Sequence, residues 1–258
     1  MVKRNELIEF IYKTIGEKLI EKALVKEDLA NGVQFLGGEN VKNVILGVSL
    51  NEEFLSAAAK QGSNFCIFHH GLDARTYKSR LPLYYQKRLK LIVNNEMTVM
   101  AFHYGLDAHP TIGNNAMIIK KLGAKIKEPL WEEYGYTATF AKPRDIHELA
   151  HTCEKLFNHD IFVVEGKSNK VKTIGVVSGG AKPYPDEIAE MEAKGVELFI
   201  SGEASESSPH KMQESGIGYF VCGHYATEKF GVQELGKKIK SKFMSKIDVE
   251  FIDIENPI

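Results

Sequence analysis

Apolar residues Leu7, Ile8, Ile11, Ile15, Leu19 and Ile20 recur at helical spacing, which predicts one amphipathic opening helix over residues 4–24. The pattern then changes period. Short β-branched, aromatic and aliphatic runs at 44–48, 65–68 and 98–102 read as strands buried on both faces. They alternate with helical stretches at 52–61, 83–94 and 115–121, and Gly62 and Gly123 stand where two of these helices should stop. Such alternation is βαβ grammar. It breaks near Lys127-Glu128-Pro129, where turn and β character begin, so a domain boundary is expected after residue 128. The second half repeats the style, with helices at 145–157 and 185–194 and strands at 161–164, 173–177, 197–200 and 219–222. A Gly179-Gly180 turn and a last helix over 227–240 complete it. The fold class read from this pattern is α/β.

Four of the apolar runs end in metal-capable or flexible residues: His69-His70-Gly71, His103, Ser201-Gly202-Glu203 and Gly223-His224. In α/β sheets the carboxyl ends of buried strands form the ligand crevice, so His69, His70, Asp107, His224 and Glu228 can converge although they lie far apart in the chain. Successive strand side chains face opposite ways, so His69 and His70 suit two neighbouring acceptors better than one. His103 and Asp107 stand four apart at the exit of the 98–102 strand, where the carboxylate can ligate a metal and the histidine can orient it from outside, and His224 precedes Glu228 by four, the spacing that puts both on one helix face. Three imidazoles and two carboxylates form a mixed nitrogen and oxygen set suited to Zn, Fe, Mn, Co or Ni rather than to a calcium cage. Glu203 fits either the crevice or a solvated loop.

Two motifs point elsewhere and fail on context. His147-Glu148-Leu149-Ala150-His151 matches the HExxH zinc-protease helix, but the residues after it lack the glycine and third histidine of the extended form. Ile146, Leu149, Ala150, Cys153, Leu156 and Phe157 supply a core stripe that leaves both histidines toward solvent. Cys222 beside Gly223-His224 lies inside an apolar strand, where a thiol is usually inert.

Composition narrows the classes. The 258 residues carry 43% hydrophobic and 26% charged side chains with a formal charge of −1, an ordinary globular balance. That balance supplies no global field for nucleic acid or an anionic membrane. Three cysteines without CxxC spacing fit small buried thiols in a reducing compartment, and no apolar stretch approaches membrane-spanning length. A cytoplasmic protein without a signal peptide is expected.

Taken in this order, His69-His70, His103-x-x-x-Asp107, Ser201-Gly202-Glu203 and Gly223-His224-Tyr225-x-Thr227-Glu228 resemble the family of GTP cyclohydrolase 1 type 2 homologues, the NIF-three-like dinuclear metal proteins. The Gly113-Asn114-Asn115-Ala116 helix entry and the Ser178-Gly179-Gly180 turn look like the family's corresponding segments. The resemblance spans nearly the whole chain. It implies two α/β lobes, residues 1–128 with 222–258 and residues 129–221, around a dinuclear metal site in the crevice at the strand carboxyl ends. It implies two divalent ions held by His69, His70, Asp107, His224 and Glu228, with His103 in an outer shell, in a ring-shaped homohexamer. The chain departs from the family pattern at Gly71, where proline is common, and at Ser49, where aspartate is common. It also lacks a histidine pair after Ser201-Gly202-Glu203.

The leading expectation is a two-metal hydrolase acting on a small molecule such as a nucleotide or cyclic amide, in which the ions activate a water. Tyr104, Tyr225, Glu203 and Glu228 are the candidates for proton transfer. A non-catalytic metal-binding scaffold or metallochaperone is the alternative from another class. A nucleic-acid-binding ring would need a concentrated basic lining that the charge balance does not promise.

Overall fold

A computed structural model describes residues 1–73 and 80–258. In chain order the elements are β1 (Val2–Lys3), α1 (Arg4–Ile15), α2 (Glu17–Lys26), β2 (Asn31–Phe35), β3 (Asn40–Val41), β4 (Asn43–Ser49), α3 (Glu52–Lys60), β5 (Phe65–His70), α4 (Leu83–Asn94), β6 (Thr98–Phe102) and α5 (Tyr104–Asp107). There follow α6 (Asn114–Leu122), β7 (Lys125–Leu130), β8 (Gly135–Asp145), α7 (Ile146–Phe157), β9 (Phe162–Val164), β10 (Lys170–Val176), α8 (Pro185–Ala193) and β11 (Leu198–Ser201). The chain ends with α9 (Ser208–Ser215), β12 (Gly218–Val221), α10 (His224–Thr227), α11 (Lys229–Phe243), a short 3₁₀ turn and β13 (Asp248–Phe251).

These elements pack into two compact units, Met1–Leu106 with Gly231–Ile254, and Asp107–Phe230 with Glu255–Ile258. The first unit is built on a five-stranded sheet in the order β13-β4-β5-β6-β2. All neighbours in it are parallel except β2, which runs antiparallel to β6. Phe65, Cys66, Ile67, Phe68 and the β6 residues Val99 to Phe102 are fully buried, as strands covered on both faces must be. Phe54, Leu55 and Ala58 of α3 pack with Ile92 of α4 against Cys66, Phe68, Val99 and Ala101. The Phe54 and Phe68 rings meet edge to face at 4.6 Å. Truncating a ring such as Phe54 to alanine would cost about 3–5 kcal/mol through lost burial and the cavity left behind. Asn51 starts α3 by accepting from the Phe54 N–H at 2.8 Å, and Glu52 and Glu53 sit at the positive end of the helix.

The second unit carries a six-stranded mixed sheet in the order β7-β8-β10-β11-β12-β9. Strands β10, β11 and β12 are parallel, whereas β7, β8 and β9 join antiparallel. One core brings Ile118, Leu149, Cys153 and Phe157 together with Ile174, Ile200 and Phe220, and a second joins Met191 and Met212 to Phe199 and Tyr219. Asp145 caps α7 through the N–H groups of His147 and Glu148.

Differences from the sequence pattern have local causes. The opening helix is two helices, because the chain leaves α1 at Gly16 with φ 95°, a conformation that the apolar periodicity does not register. The expected last helix over 227–240 is α11, which starts two residues later, and a separate four-residue helix, α10, precedes it; the residue between them is Glu228, with φ −108° and ψ 4°. The pattern leaves out β2, β13 and α9. Both strands are half-exposed sheet edges, and α9 buries only Ser208 and Met212, so their hydrophobic signal is weak. The two units divide at Leu106/Asp107 rather than near residue 128, since Met117, Ile118, Ile119 and Leu122 of α6 belong to a core of the second unit. Among the described residues, no helix is long and apolar enough to cross a membrane.

Candidate metal centre

In the first unit the carboxyl ends of β4, β5 and β6 deliver Ser49, His69-His70 and His103. Parallel pairing fixes their level, with Ser49 beside His70 and Phe68 beside Ala101. The His69 and His103 rings stack at 4.8 Å between centroids, and His70 lies 4.5 Å from His69 and 5.4 Å from His103. Each ring is held through Nδ1. His69 Nδ1 donates to the Phe102 carbonyl at 3.0 Å, and His103 Nδ1 donates to the Glu27 carboxylate at 2.8 Å. His70 Nδ1 lies 3.0 Å from Ser49 Oγ. A carbonyl or carboxylate can only accept, so the Nδ1 of His69 and of His103 carries a proton, and Nε2 is the nitrogen that a neutral ring would offer to a metal. This tautomer and orientation are what a metal-ligating histidine requires.

Glu27 escapes sequence reasoning because nothing in the residues around it signals a partner 76 positions away. Its carboxylate accepts from His103, from the Tyr104 N–H at 2.9 Å and from Asn31 Nδ2 at 2.8 Å. Burial alone would raise its pKa, but His103, the Tyr104 amide and Asn31 outweigh that and hold it below the ordinary glutamate value. Tyr104 is fully buried, with the Lys26 ammonium 5.6 Å from its ring centre. Ser49 does at His70 the orienting that a carboxylate would do. Gly71 allows a close contact, since a Cβ there would lie 1.9 Å from Gln34 Oε1, and Gln34 bonds both backbone groups of Leu72.

In the second unit the carboxyl ends of β10, β11 and β12 bring up the Ser178-Gly179-Gly180 turn, Glu203 and the His224-to-Glu228 segment. Asp107 is buried, and its Oδ1 accepts from Asn114 Nδ2 and Ser178 Oγ, each at 3.0 Å. Asn115, fully buried beside it, bonds the Asp107 carbonyl and the Ser178 N–H. His224 stands between two carboxylates, its Nδ1 2.5 Å from Glu203 Oε1 and its Nε2 3.1 Å from Glu228 Oε2. Burial opposes charge on this ring, but the Glu228 and Glu203 carboxylates prevail and push His224 up to about 9. Glu203 in turn pairs with Lys182, and although burial would raise its pKa, Lys182 and His224 hold it below the ordinary value. Gly179 is indispensable to this packing. It has φ +68°, and a Cβ there would lie 2.0 Å from Glu228 Oε1. Tyr225 is buried, with the Lys229 ammonium 5.5 Å from its ring centre.

The other motifs lie as the sequence places them. His147 and His151 are exposed on α7, His147 3.9 Å from Glu165 and His151 3.4 Å from Glu154. The Cys222 thiol is fully buried, and burial together with the neighbouring Cys153 holds its pKa well above the ordinary value, so it is no nucleophile.

Mixed α/β sheets with oriented imidazoles and carboxylates at the ends of their parallel strands define a class, an α/β protein whose histidine and glutamate side chains could hold a metal. The family model for Duf34/NIF3 (NGG1p interacting factor 3) matches residues 3–257, and the chain belongs to that family. It is 31% identical over 262 residues to the GTP cyclohydrolase 1 type 2 homolog of Escherichia coli K12, covering 99% of this chain and 100% of that one. With the homolog of Buchnera aphidicola (Schizaphis graminum) it shares 33% identity over 246 residues, 93% of this chain and 97% of the other. Among solved structures it matches protein ybgI, described as of unknown function, at TM-score 0.88 and 28% identity with full coverage of both chains. TTHA1606 of Thermus thermophilus, at TM-score 0.82 and 24% identity with full coverage of both chains, shares the fold.

Proposed function

We propose that the chain is a dinuclear-metal hydrolase acting on a nucleotide or a related cyclic amide. The observation that carries this reading is the set of three imidazoles, each held through Nδ1 by a carbonyl, a hydroxyl or a carboxylate, the orientation that metal-ligating histidines take. His69, His70, Asp107, His224 and Glu228 are assigned as ligands to two divalent ions. His103, on its Glu27 tether, stands beside His69 and His70 and belongs to an outer shell around them. Bound ions would supply Lewis acidity and a water of lowered pKa. The chain's own groups do the rest: Ser178 and Asn114 orient Asp107, and Glu228, Tyr104 and Tyr225 are the groups assigned to proton transfer. The substrate class follows the relatives named GTP cyclohydrolase 1 type 2 homolog. A cytoplasmic homohexamer is the assembly that goes with this reading.

Elemental analysis of protein purified without added metal tests the first step. About two transition-metal equivalents per chain are expected for a dinuclear centre, falling sharply in a His70→Ala/Glu228→Ala double variant. Unchanged occupancy in that variant would sink the assignment. Hydrolysis of at least one member of a panel of nucleotides, cyclic amides and phosphoesters is then expected, whereas tightly held ions with no turnover would favour a metal-binding scaffold.

A further inference from the structure

The loop after β11 is pinned from several directions around Glu203. Ser201 Oγ donates to the Ala181 carbonyl at 2.7 Å and lies 3.2 Å from the Glu203 carbonyl, which also accepts from the Tyr219 hydroxyl at 2.5 Å. The Glu203 backbone is therefore fixed before its side chain meets anything. One carboxylate oxygen then takes the Nδ1–H of His224, and the other takes the Lys182 ammonium. Lys182 follows directly on the Gly179-Gly180-Ala181 turn, and Gly180 lies under the same ring, the position of its missing Cβ 3.5 Å from His224 Cε1. Across the ring, Nε2 faces Glu228 at 3.1 Å.

An imidazole rotated by half a turn presents the wrong atom to an ion, and a hydrogen-bond partner on the far nitrogen opposes that rotation. We propose that Glu203 and Lys182 are positioning residues for the metal centre: Glu203 holds the His224 ring with Nε2 on the Glu228 side, and Lys182 holds the carboxylate that does so. The inference rests on the metal reading above and deepens it. Neither residue would be a ligand to the ion. Glu203 acts through His224, and Lys182 acts through Glu203. The two contacts differ in kind, since the histidine needs an acceptor at one oxygen while the lysine needs only a negative charge at the other. Replacing Glu203 by glutamine therefore preserves an acceptor for Nδ1–H and removes the charge that Lys182 pairs with.

Cobalt(II) titration of the full chain, followed by its visible absorption and by elemental analysis, tests this. Glu203→Ala should weaken cobalt binding at the ion served by His224 roughly 10–100-fold and shift the visible band, as loss of an orienting partner does. Glu203→Gln should recover part of that affinity, Lys182→Met should show a smaller loss of the same sign, and Lys182→Arg should restore it. Urea unfolding of each variant separates these effects from loss of fold. Wild-type affinity and spectrum in Glu203→Ala, with cobalt lost in His224→Ala, would overturn the positioning role while leaving the metal reading intact. Undiminished cobalt binding in His224→Ala would overturn the metal role of that histidine and the positioning role with it.

Discussion

The two units present donors by different means. In the first, His69 and His70 end a fully buried parallel strand and His103 follows the next one, so the sheet's own register sets where the rings start. Each ring then needs one partner, and the partners are three different groups: a carbonyl, a hydroxyl and a carboxylate. In the second unit His224 and Glu228 sit on and just after a four-residue helix, and their position depends on loops that follow three separate strands. Glu203 comes from one loop and Gly179 from another, and Thr227 Oγ1 ties the helix back to the Gly179 N–H at 2.9 Å. Strand ends tolerate change around them, whereas a site assembled from loops fails when any one loop is displaced.

A matched pair of glycine substitutions tests this contrast most severely. Gly179 and Gly62 have nearly the same φ, +68° and +67°, but a Cβ on Gly62 meets nothing within 4 Å whereas one on Gly179 overlaps Glu228. Both alanine variants carry the backbone penalty, at least about 1 kcal/mol. Gly179→Ala is expected to lose about 3 kcal/mol in urea unfolding and most of its metal, because overlap adds to backbone strain, while Gly62→Ala keeps its metal. Equal metal content in the two variants would break the comparison.

Next in size is Glu27→Ala, which strands three donors and should cost about 2 kcal/mol. Its pH dependence has a definite sign. Because the folded-state pKa lies below the ordinary glutamate value of 4.5, the carboxylate's stabilisation is complete above 4.5 and fades as pH falls through the lowered value. The stability gap between wild type and Glu27→Gln should therefore be flat near neutrality and close in acid, and a gap that widens in acid would refute it. Ser49→Ala removes the partner of His70 Nδ1, and about a tenfold loss of metal affinity with little change in stability is expected by calorimetric titration. Ser49→Asp should move affinity the other way, since a carboxylate makes the ring a better donor. The smallest effect lies away from both donor groups: Asp145→Ala removes the α7 cap and should cost about 1 kcal/mol with metal content unchanged.

Much of this was legible in the chain. Buried strands announce themselves as apolar runs because no face of them meets water, and the residues that end those runs, His69-His70, His103, Glu203 and His224, are the ones that the fold places at its strand ends. The apolar stripe of Ile146, Leu149, Ala150, Cys153, Leu156 and Phe157 marked α7, and the same stripe kept His147 and His151 on the solvent side. Family membership was readable from the Gly223-His224-Tyr225-x-Thr227-Glu228 block with the earlier histidine pair, and the match of the family model to residues 3–257 bears it out. The breaks at Gly16 and Glu228 were hidden, because hydrophobic periodicity reports which face is buried and carries no record of a single residue's φ and ψ.

By itself, then, the sequence determined the α/β class, the places where strands end and the residue types waiting there, since all three depend on local spacing and burial. Tertiary structure alone decided which nitrogen each histidine presents and through whom. Glu27 reaches His103 across 76 positions, and Ser49 reaches His70 across 21. Lys182 reaches His224 only through Glu203. A hydrogen bond is specified by the direction of two atoms in space, and that direction comes into being only when distant segments are packed together.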